Sequence, residues 1–362
     1  MPIPDNTTIV LSNPSRMDTK ELLSGYAGVY LNECLQPEMN RFQCDLRTAD
    51  ETMPLLDGTK AILLLGQNAM HRWAINTHDY TLNQKRGTPL DNQWNLPCYA
   101  SFFPQDCMDV LDYESRLNPQ DISENEDNEE KEIYEGKKKG ATARSNFRFW
   151  LAADCKKVLR SMDDKQVCLQ RWGMVSPQYI IYPSSQEIIH VLSTTKNETV
   201  YLDIETDSSL NLTCIGFGMG NTIFVVPVLR YNYTVAYREI PQIFKAFARF
   251  LGSNEIVTHN SQFDLFVLAY KYNLLPGPDH YDTMLAHHRC YPEAEMSLGH
   301  CMSLWTDEPY HKDEGIFMPV NTEQERKLWE YNGKDVWGTM LVRRAIDEYA
   351  KTVPGLAESI AQ

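Results

Sequence analysis

Two acidic residues at the end of an apolar segment provide the first candidate chemistry. Residues 201–206 read YLDIET, so Asp203 and Glu205 alternate with Leu202 and Ile204. Because side chains alternate across a strand, we expect the two carboxylates on one face and the apolar pair on the other. Neighbouring carboxylates repel each other unless a cation lies between them, and oxygen ligands of this kind suit Mg²⁺ or Mn²⁺. The pair is therefore a candidate set of metal ligands.

Two more acidic residues and a tyrosine occupy positions that suit the same chemistry. Asp264 falls in the first turn of a predicted helix, where a carboxylate also has favourable dipole interactions without a metal. Tyr331 and Asp335 are four residues apart, so a helix places them on one face. Each feature alone fits an ordinary surface. The metal hypothesis depends on the ordered set that they form with Asp203 and Glu205.

The elements that must position these residues follow from the hydrophobic pattern after residue 178. Strands are predicted at 179–182, 199–204, 212–219, 222–228 and 255–258, with helices at 186–192, after Pro241, and almost to the end after the last strand. Asp203 and Glu205 then lie at a strand end, and Asp264 lies in the helix that follows the last strand. Strands that alternate with helices predict an α/β architecture.

The ordered set resembles the tyrosine-bearing branch of the DEDD exonuclease superfamily, over about 160 residues. Residues 281–285 (YDTML), followed by 296–298 (MSL), are similar to the segment between the second and third motifs of the proofreading domains of family A DNA polymerases. The resemblance implies a ribonuclease H-like mixed sheet with flanking helices for residues 178–362. It also implies a 3′→5′ exodeoxyribonuclease of the proofreading type.

The mechanism that this resemblance implies is hydrolysis of phosphodiester bonds with two divalent cations, Mg²⁺ or Mn²⁺. Asp203, Glu205 and Asp335 would bind the tighter ion, and Asp203 and Asp264 would hold the second. Tyr331 would orient the attacking water. An unperturbed phenol has a pKa of about 10, so the metal must supply most of the activation of that water.

The resemblance also implies contacts to the substrate. Asn260 matches a position that contacts the terminal nucleotide, and Phe263 follows it on the same helix. Thr206 would touch the 3′ end through its backbone. The family uses an apolar wedge to splay the last two bases. Ser209 occupies the nearest spacing and Leu210 lies one residue later, so Leu210 is the candidate wedge.

A competing metal hypothesis involves residues of zinc-ligand type, which are His287, His288, Cys290, His300 and Cys301. Their spacing fits no common zinc pattern, and the first three would face different directions on one helical turn. A structural zinc site is the weaker of the two metal hypotheses.

Residues 1–177 are predicted to form a separate α/β domain that resembles the uracil-DNA glycosylase superfamily. The resemblance runs through residues 13–15 (NPS), 24–28 (SGYAG), 61–69, 86–89 (RGTP) and 102–104 (FFP). Ser12 and Phe103 stand where that family has its acidic residue and its histidine. We therefore expect a non-catalytic domain that holds DNA or docks a protein. An unrelated α/β domain is the alternative.

Charge predicts two further features of this N-terminal region. Between about residues 120 and 144 an acidic run gives way to three consecutive lysines. Such a segment cannot bury apolar surface, so we expect a disordered insertion. Arg72, Lys85 and Arg86 are the basic residues expected near DNA, although plain surface solvation explains them equally well.

Composition limits location and partners. The chain has 362 residues, 43% of them hydrophobic, which suffices for two cores, and its net charge of −15 creates no global attraction for nucleic acid. The nine cysteines include no CxxC pair, no apolar run approaches membrane-spanning length, and no signal-like segment opens the chain. We expect a cytoplasmic protein of a bacterium or a phage-infected cell, neither secreted nor membrane-bound.

The expected partners follow from the exonuclease resemblance. They are single-stranded or frayed DNA 3′ ends and a DNA polymerase subunit or domain absent from this chain. The protein would be a stand-alone proofreading subunit or the front of a longer or split, phage-like replicase. An exoribonuclease and a catalytically silent adaptor that recruits a polymerase are the alternatives.

Overall fold

The computed structural model describes residues 6–11, 43–48, 55, 57–102, 150–158, 161, 176–292, 294–308, 311–312, 314–316 and 318–360. The chain divides into two compact units, Met1–Val167 and Cys168–Gln362. The domain boundary between residues 177 and 178 stays a prediction. Ser12, Phe103 and the acidic insertion at 120–144 lie outside the described residues.

The first unit contains a four-stranded parallel sheet. Its strands are β1 (Asn6–Leu11), β2 (Gln43–Thr48), β3 (Thr59–Leu65) and β4 (Cys98–Ser101), in the order β2-β1-β3-β4. Helices α1 (Gln67–Trp73) and α2 (Leu82–Lys85) follow β3, and residues 150–158 are also helical. The apolar run at 61–65 is buried in β3, as its composition predicts. The resemblance of this unit to glycosylases stays a prediction.

Arg86 lies in the interior of the first unit. Its Nε and Nη2 atoms donate to Oδ2 and Oδ1 of Asp154 at 3.1 and 3.0 Å, and the two side chains are 2% and 0% exposed. The expectation that Arg86 lies near DNA is therefore wrong. A fully buried guanidinium needs a paired carboxylate, and Asp154, 68 residues away in sequence, provides it.

The second unit is built on a mixed six-stranded sheet. Its strands are β5 (Gln178–Ile181), β6 (Thr199–Thr206), β7 (Leu212–Met219), β8 (Thr222–Pro227), β9 (Glu255–Thr258) and β10 (His280–Asp282). The strand order is β10-β9-β6-β7-β8-β5. β6, β7 and β8 form an antiparallel meander, whereas β9 pairs in parallel with β6 and with β10, and β5 pairs in parallel with β8.

Helices cover both faces of this sheet. They are α3 (Ser185–Thr194), α4 (Ile240–Leu251), α5 (Ser261–Tyr272), α6 (Thr283–Cys290), α7 (Leu298–Trp305), α8 (Thr322–Ala350) and α9 (Leu356–Ile360). Helices α3, α4 and α5 share one hydrophobic core with the sheet, and α8 packs on the opposite face. The second unit is therefore an α/β fold with a mixed sheet and flanking helices, as expected. No helix within the described ranges is both long and apolar enough to span a bilayer.

Alternation along β6 sends its side chains to these two faces. Leu202 and Ile204 are buried in the core shared with α3, α4 and α5. Tyr201 packs in the other core, together with Trp337 of α8. Because Asp203 and Glu205 alternate with Leu202 and Ile204, the sheet aims both carboxylates at α8.

The short strand β10 was not expected, because helices alone were predicted in this part of the chain. Its three residues pair with residues 256–258 of β9 in parallel register. A segment this short and polar has no local strand signal. Hydrogen bonds from β9 decide its conformation.

Candidate active site

Three carboxylates from two elements converge between the sheet and α8. Oxygen atoms of Asp203, Glu205 and Asp335 all lie within 4.8 Å of one another. Asp203 and Glu205 come from the end of β6 and Asp335 from the middle of α8. Within the described part of the chain, this is the only group of three or more histidine, cysteine or acidic side chains so arranged. The sequence-predicted carboxylates of the first and last motifs therefore meet in space.

Asp335 is held by two consecutive residues of the segment between α7 and α8. His311 Nε2 donates to Asp335 Oδ1 at 2.8 Å, and Lys312 Nζ donates to Oδ2 at 2.6 Å. Neither residue is predicted from the sequence, since a lone His-Lys pair in a loop carries no pattern.

Asn332 joins the first motif to the last. Its Nδ2 donates to Asp203 Oδ2 at 2.7 Å and to the Asp203 carbonyl at 3.3 Å. The side chain is fully buried, and α8 approaches β7 so closely that a Cβ added to Gly216 would lie 2.3 Å from Asn332 Oδ1. The glycine therefore permits Asn332 to reach Asp203. Asn332 lies beside Tyr331 in the sequence motif, but its role depends on this contact.

Asp264 lies next to this group but faces the backbone of β6. Its Oδ1 accepts a hydrogen bond from Ile204 N at 3.0 Å, and the side chain is buried in the first turn of α5. It is not a member of the group of three carboxylates within 4.8 Å. Asp264 thus ties α5 to the strand that carries Asp203 and Glu205. Its role as a metal ligand stays a prediction.

Asp282 fixes the start of α5, a role that the sequence did not reveal. Its two carboxylate oxygens accept hydrogen bonds from Asn260 N at 3.0 Å and Ser261 N at 2.8 Å, and Oδ1 also accepts from Met284 N at 2.8 Å. Asn260, with φ of 70°, adopts the left-handed conformation that asparagine tolerates. One side chain therefore caps both α5 and α6.

The electrostatics of the site are those of crowded carboxylates. Burial and the nearby Asp335 raise the pKa of Asp203, and burial with the neighbouring Asp203 raises the pKa values of Glu205 and Asp264. Burial also favours the neutral form of Asp335, but the hydrogen bond from His311 and the charge of Lys312 outweigh it and lower the pKa of Asp335. Without a cation, Asp203, Glu205 and Asp264 therefore hold protons more tightly than ordinary carboxyl groups, whereas Asp335 is ionised beside Lys312.

Tyr331 is packed beneath the segment that follows α7. Lys312 Nζ lies 4.5 Å from the centre of its ring, and the His311 ring lies 5.8 Å away in an edge-to-face arrangement. Burial, with the charge of Asp335, raises the pKa of the Tyr331 phenol, although Lys312 acts in the opposite direction. The hydroxyl therefore stays protonated at neutral pH, where it can orient water but is a poor base.

The four expected substrate contacts lie around the ends of β6 and α5. Thr206 ends β6, and Asn260 precedes α5. Phe263 is exposed on the first turn of α5. Leu210 is partly buried, packs against the core and has a φ of 61°. The contacts of these four residues with a substrate stay predictions.

The competing zinc hypothesis involves a histidine that is already fully bonded. His287 Nδ1 accepts from Trp305 Nε1 at 2.9 Å, and its Nε2 lies 3.2 Å from the Glu295 carbonyl. Cys301 is buried in a separate apolar cluster with Met302 and Val342. These residues stabilise the packing of α6 and α7 and do not converge on a metal site.

No protein-family model and no curated protein matches the chain. The fold is similar to solved structures, among them Escherichia coli RNase D, an exoribonuclease involved in structured RNA processing (16% identity, TM-score 0.38, 50% of this chain and 48% of that one). The Aedes aegypti Nibbler EXO domain matches at 12% identity and TM-score 0.39, over 49% of this chain and 90% of that one. Brucella melitensis NrnC matches at 19% identity and TM-score 0.36, over 49% and 82%.

The chain thus spans about half the length of the E. coli protein. Because each similarity covers only about half of this chain and at most 19% of residues are identical, the activity must be inferred from the site.

Proposed function

We propose that this protein is a metal-dependent 3′→5′ exodeoxyribonuclease of the proofreading type. The observation that carries the proposal is the convergence of Asp203, Glu205 and Asp335 within 4.8 Å, beside Tyr331 on the same helix as Asp335. Buried carboxylates are costly without a cation, so an arrangement of three is retained for what it binds.

The donor set fits a hard divalent cation. All three side chains offer oxygen atoms, which Mg²⁺ and Mn²⁺ prefer over nitrogen or sulfur. The cluster already attracts one positive group, since Lys312 Nζ lies 2.6 Å from Asp335 Oδ2. We propose that Asp203, Glu205 and Asp335 hold one ion and that Asp203 and Asp264 hold a second. When bound, these ions would polarise the phosphate and activate water.

The protein's own residues would contribute position and proton handling. Asn332 fixes the orientation of the Asp203 carboxylate, and His311 fixes that of Asp335. Tyr331, protonated at neutral pH, would donate to or accept from the attacking water and hold it in line with the phosphorus atom. Thr206, Asn260 and Phe263 would place the terminal nucleotide against this site.

The test is hydrolysis of 5′-labelled single strands of DNA and of RNA with the same sequence, in Mg²⁺ or Mn²⁺. We expect a ladder of DNA products that shortens from the 3′ end and that chelation of the metal abolishes. A ladder of products from RNA alone would show that the protein is an exoribonuclease and not a deoxyribonuclease. No ladder from either strand, with metal binding intact, would favour the adaptor.

A further inference from the structure

A tight hairpin lies at the same edge of the sheet as the candidate active site. A single antiparallel bridge joins Leu229 to Val235 directly after β8. Because β7 is antiparallel to both β6 and β8, the carboxyl ends of β6 and β8 meet the same edge. Two strand spacings separate these ends, which is roughly 10 Å. The hairpin, residues 229–235, is therefore a near neighbour of Asp203 and Glu205.

A buried glutamate of α8 fixes this hairpin. Glu325 is 1% exposed, and its carboxylate accepts from Arg230 Nε at 3.0 Å and Nη2 at 2.8 Å. The same carboxylate accepts from Tyr231 N at 2.5 Å. The hairpin thus has a defined position on the helix that carries Tyr331 and Asp335. The charge of Arg230 is neutralised by this pairing, so the guanidinium is not available to bind a phosphate.

The hairpin presents two tyrosines outward. Tyr231 and Tyr233 are 39% and 71% exposed. Tyr233 has a φ of 61°, a conformation that bulky residues rarely adopt, and its N–H donates to the Arg230 carbonyl at 2.8 Å. Because most of the Tyr233 ring is exposed, the fold gains little apolar burial from it. Such strain persists where a protein uses it for binding.

The two tyrosines border a small open cleft of about 50 Å³, which is well below the volume of an enclosed small-ligand site and offers a surface for contact. Met318, Leu328 and Asp207 line the same cleft. Leu328 precedes Tyr331 by three residues, so the cleft begins about 4.5 Å along the helix axis from the candidate catalytic tyrosine. A nucleic-acid strand whose 3′ end lies among the carboxylates would therefore extend to this cleft.

We propose that Tyr231 and Tyr233 form a stacking platform for the bases upstream of the scissile phosphate in single-stranded nucleic acid. This inference rests on the exonuclease proposed above. Asn260 and Phe263 lie at the start of α5, which packs on the opposite face of the sheet from α8. The terminal nucleotide would thus contact the start of α5, and the upstream bases would extend along α8 toward the hairpin.

Neutral aromatic rings suit this chain better than basic residues do. With a net charge of −15, the protein gains little by attracting phosphates at long range. Stacking on tyrosine tolerates every base and needs no cation. The occupant is therefore a nucleobase, which DNA and RNA both supply.

The experiment compares the full-length protein with a Tyr231→Ala/Tyr233→Ala double variant, a Tyr231→Phe/Tyr233→Phe double variant and a Tyr270→Ala control. Tyr270 is 73% exposed on α5, the helix that packs on the opposite face of the sheet from α8. The probes are fluorescent single strands of DNA and RNA, each about twelve nucleotides long to fill one stacking site, and the small ester thymidine 5′-(p-nitrophenyl phosphate), which has no upstream base.

We expect the alanine pair to raise Kd and KM for the long strand about five- to a hundred-fold, by the usual worth of base stacking. Turnover of the small ester should not change, and the phenylalanine pair and Tyr270→Ala should behave as wild type. The ratio of variant to wild-type Kd should also be independent of salt, since no phosphate contact is lost. If the alanine pair binds only DNA, or only RNA, more weakly than the wild type does, the platform is specific for that nucleic acid.

Unchanged Kd and KM in the alanine pair would overturn the platform while leaving the exonuclease intact, and would favour a protein as the partner of this surface. Binding is measured in Ca²⁺, independently of hydrolysis. If the wild type hydrolyses neither substrate, the proposed exonuclease activity is wrong. The Kd in Ca²⁺, measured by the fluorescence anisotropy of the labelled strands, still decides whether the tyrosines bind bases.

Discussion

The ammonium of Lys312 lies 2.6 Å from Oδ2 of Asp335, while His311 donates to Oδ1 of the same carboxylate at 2.8 Å. Although burial disfavours its charge, the Asp335 carboxylate raises the pKa of Lys312. Lys312 therefore remains protonated and supplies a single positive charge to a cluster whose donors suit a divalent ion. A metal at this cluster must share Asp335 with Lys312 or displace it.

Replacing Lys312 with methionine, an unbranched side chain that is one atom shorter and carries no charge, tests this competition. We expect the metal-free protein to lose about 1–3 kcal/mol of stability, because a buried carboxylate loses its charged partner. Affinity for Mn²⁺ should rise, because the cluster becomes more negative. Thermal melts in EDTA and calorimetric titration with Mn²⁺ measure the two effects. Lys334→Met is the control, since Lys334 forms an exposed pair with Glu314. Weaker Mn²⁺ binding in Lys312→Met would contradict the competition.

The Asp203→Asn variant should lose metal-dependent hydrolysis and keep its fold. Removing one of several crowded carboxylates relieves repulsion, so the melting temperature without metal should be equal or higher. Product ladders and thermal melts measure both effects. The matched control is Asp279→Asn at an exposed position, which should change neither hydrolysis nor the melting temperature. Hydrolysis at the wild-type rate by Asp203→Asn would remove Asp203 from the site.

The stability of the metal-free protein should fall as pH rises. The pKa values of Asp203, Glu205 and Asp264 are raised by burial and mutual repulsion, so these groups bind protons more tightly in the folded state. Above the unfolded carboxyl pKa of about 4, the unfolded state binds fewer protons, and stability decreases until the folded groups also ionise. Asp335, whose pKa is lowered, contributes the opposite slope, but only below about pH 4.

Chemical denaturation at a series of pH values in EDTA measures this slope. Added Mg²⁺ should stabilise the protein more at alkaline than at acidic pH, because metal and protons compete for the same oxygens. A metal-free stability that rises between pH 5 and pH 8, with Asp203→Asn showing the same slope, would contradict the shifts assigned to this cluster.

The Tyr331→Phe variant keeps the ring and removes the hydroxyl. We expect kcat to drop about ten- to a thousand-fold, the range for a positioning or proton-handling group, with little change in the Kd for DNA. Steady-state kinetics with a parallel binding measurement separates these quantities. A normal kcat combined with altered affinity would show that Tyr331 contacts substrate and does not handle the attacking water.

Gly216→Ala tests the close approach of α8 to the sheet. The added methyl group would lie 2.3 Å from Asn332 Oδ1 and 2.8 Å from Val336 Cγ2. Overpacking of this kind costs about 1–3 kcal/mol, and displacement of Asn332 should lower activity. The control is Gly252→Ala, where the nearest atom lies 3.5 Å away. Wild-type activity in Gly216→Ala would show that the contact between Asn332 and Asp203 is dispensable.

Local pattern predicted most of the second unit. Strands β7 and β9 have the bounds that their apolar runs predict, since residues of turn type flank both runs. Strand alternation places Asp203 and Glu205 on one face of β6, and helix periodicity places Tyr331 and Asp335 on one face of α8. Each of these properties depends on residues within a few positions of one another.

What sequence could not predict is contact between distant positions. Asn332 reaches Asp203 across 129 residues, and Lys312 reaches Asp335 across 23. Neither residue type is unusual where it stands, so no local signal distinguishes them. The interior position of Arg86 was missed for the same reason, because its partner Asp154 lies 68 residues away.

Helix α8 also places a constraint on how this chain can vary in length. Its 29 residues form one continuous rod, about 44 Å long, that bears the hairpin anchor Glu325 and, further along, Tyr331, Asn332 and Asp335. One inserted or deleted residue between positions 325 and 331 would turn the two groups relative to each other by about 100°. Substitutions can be absorbed here one at a time, whereas a single-codon insertion or deletion would disconnect the hairpin from the carboxylates. The number of residues between Glu325 and Tyr331 is therefore fixed by the helix.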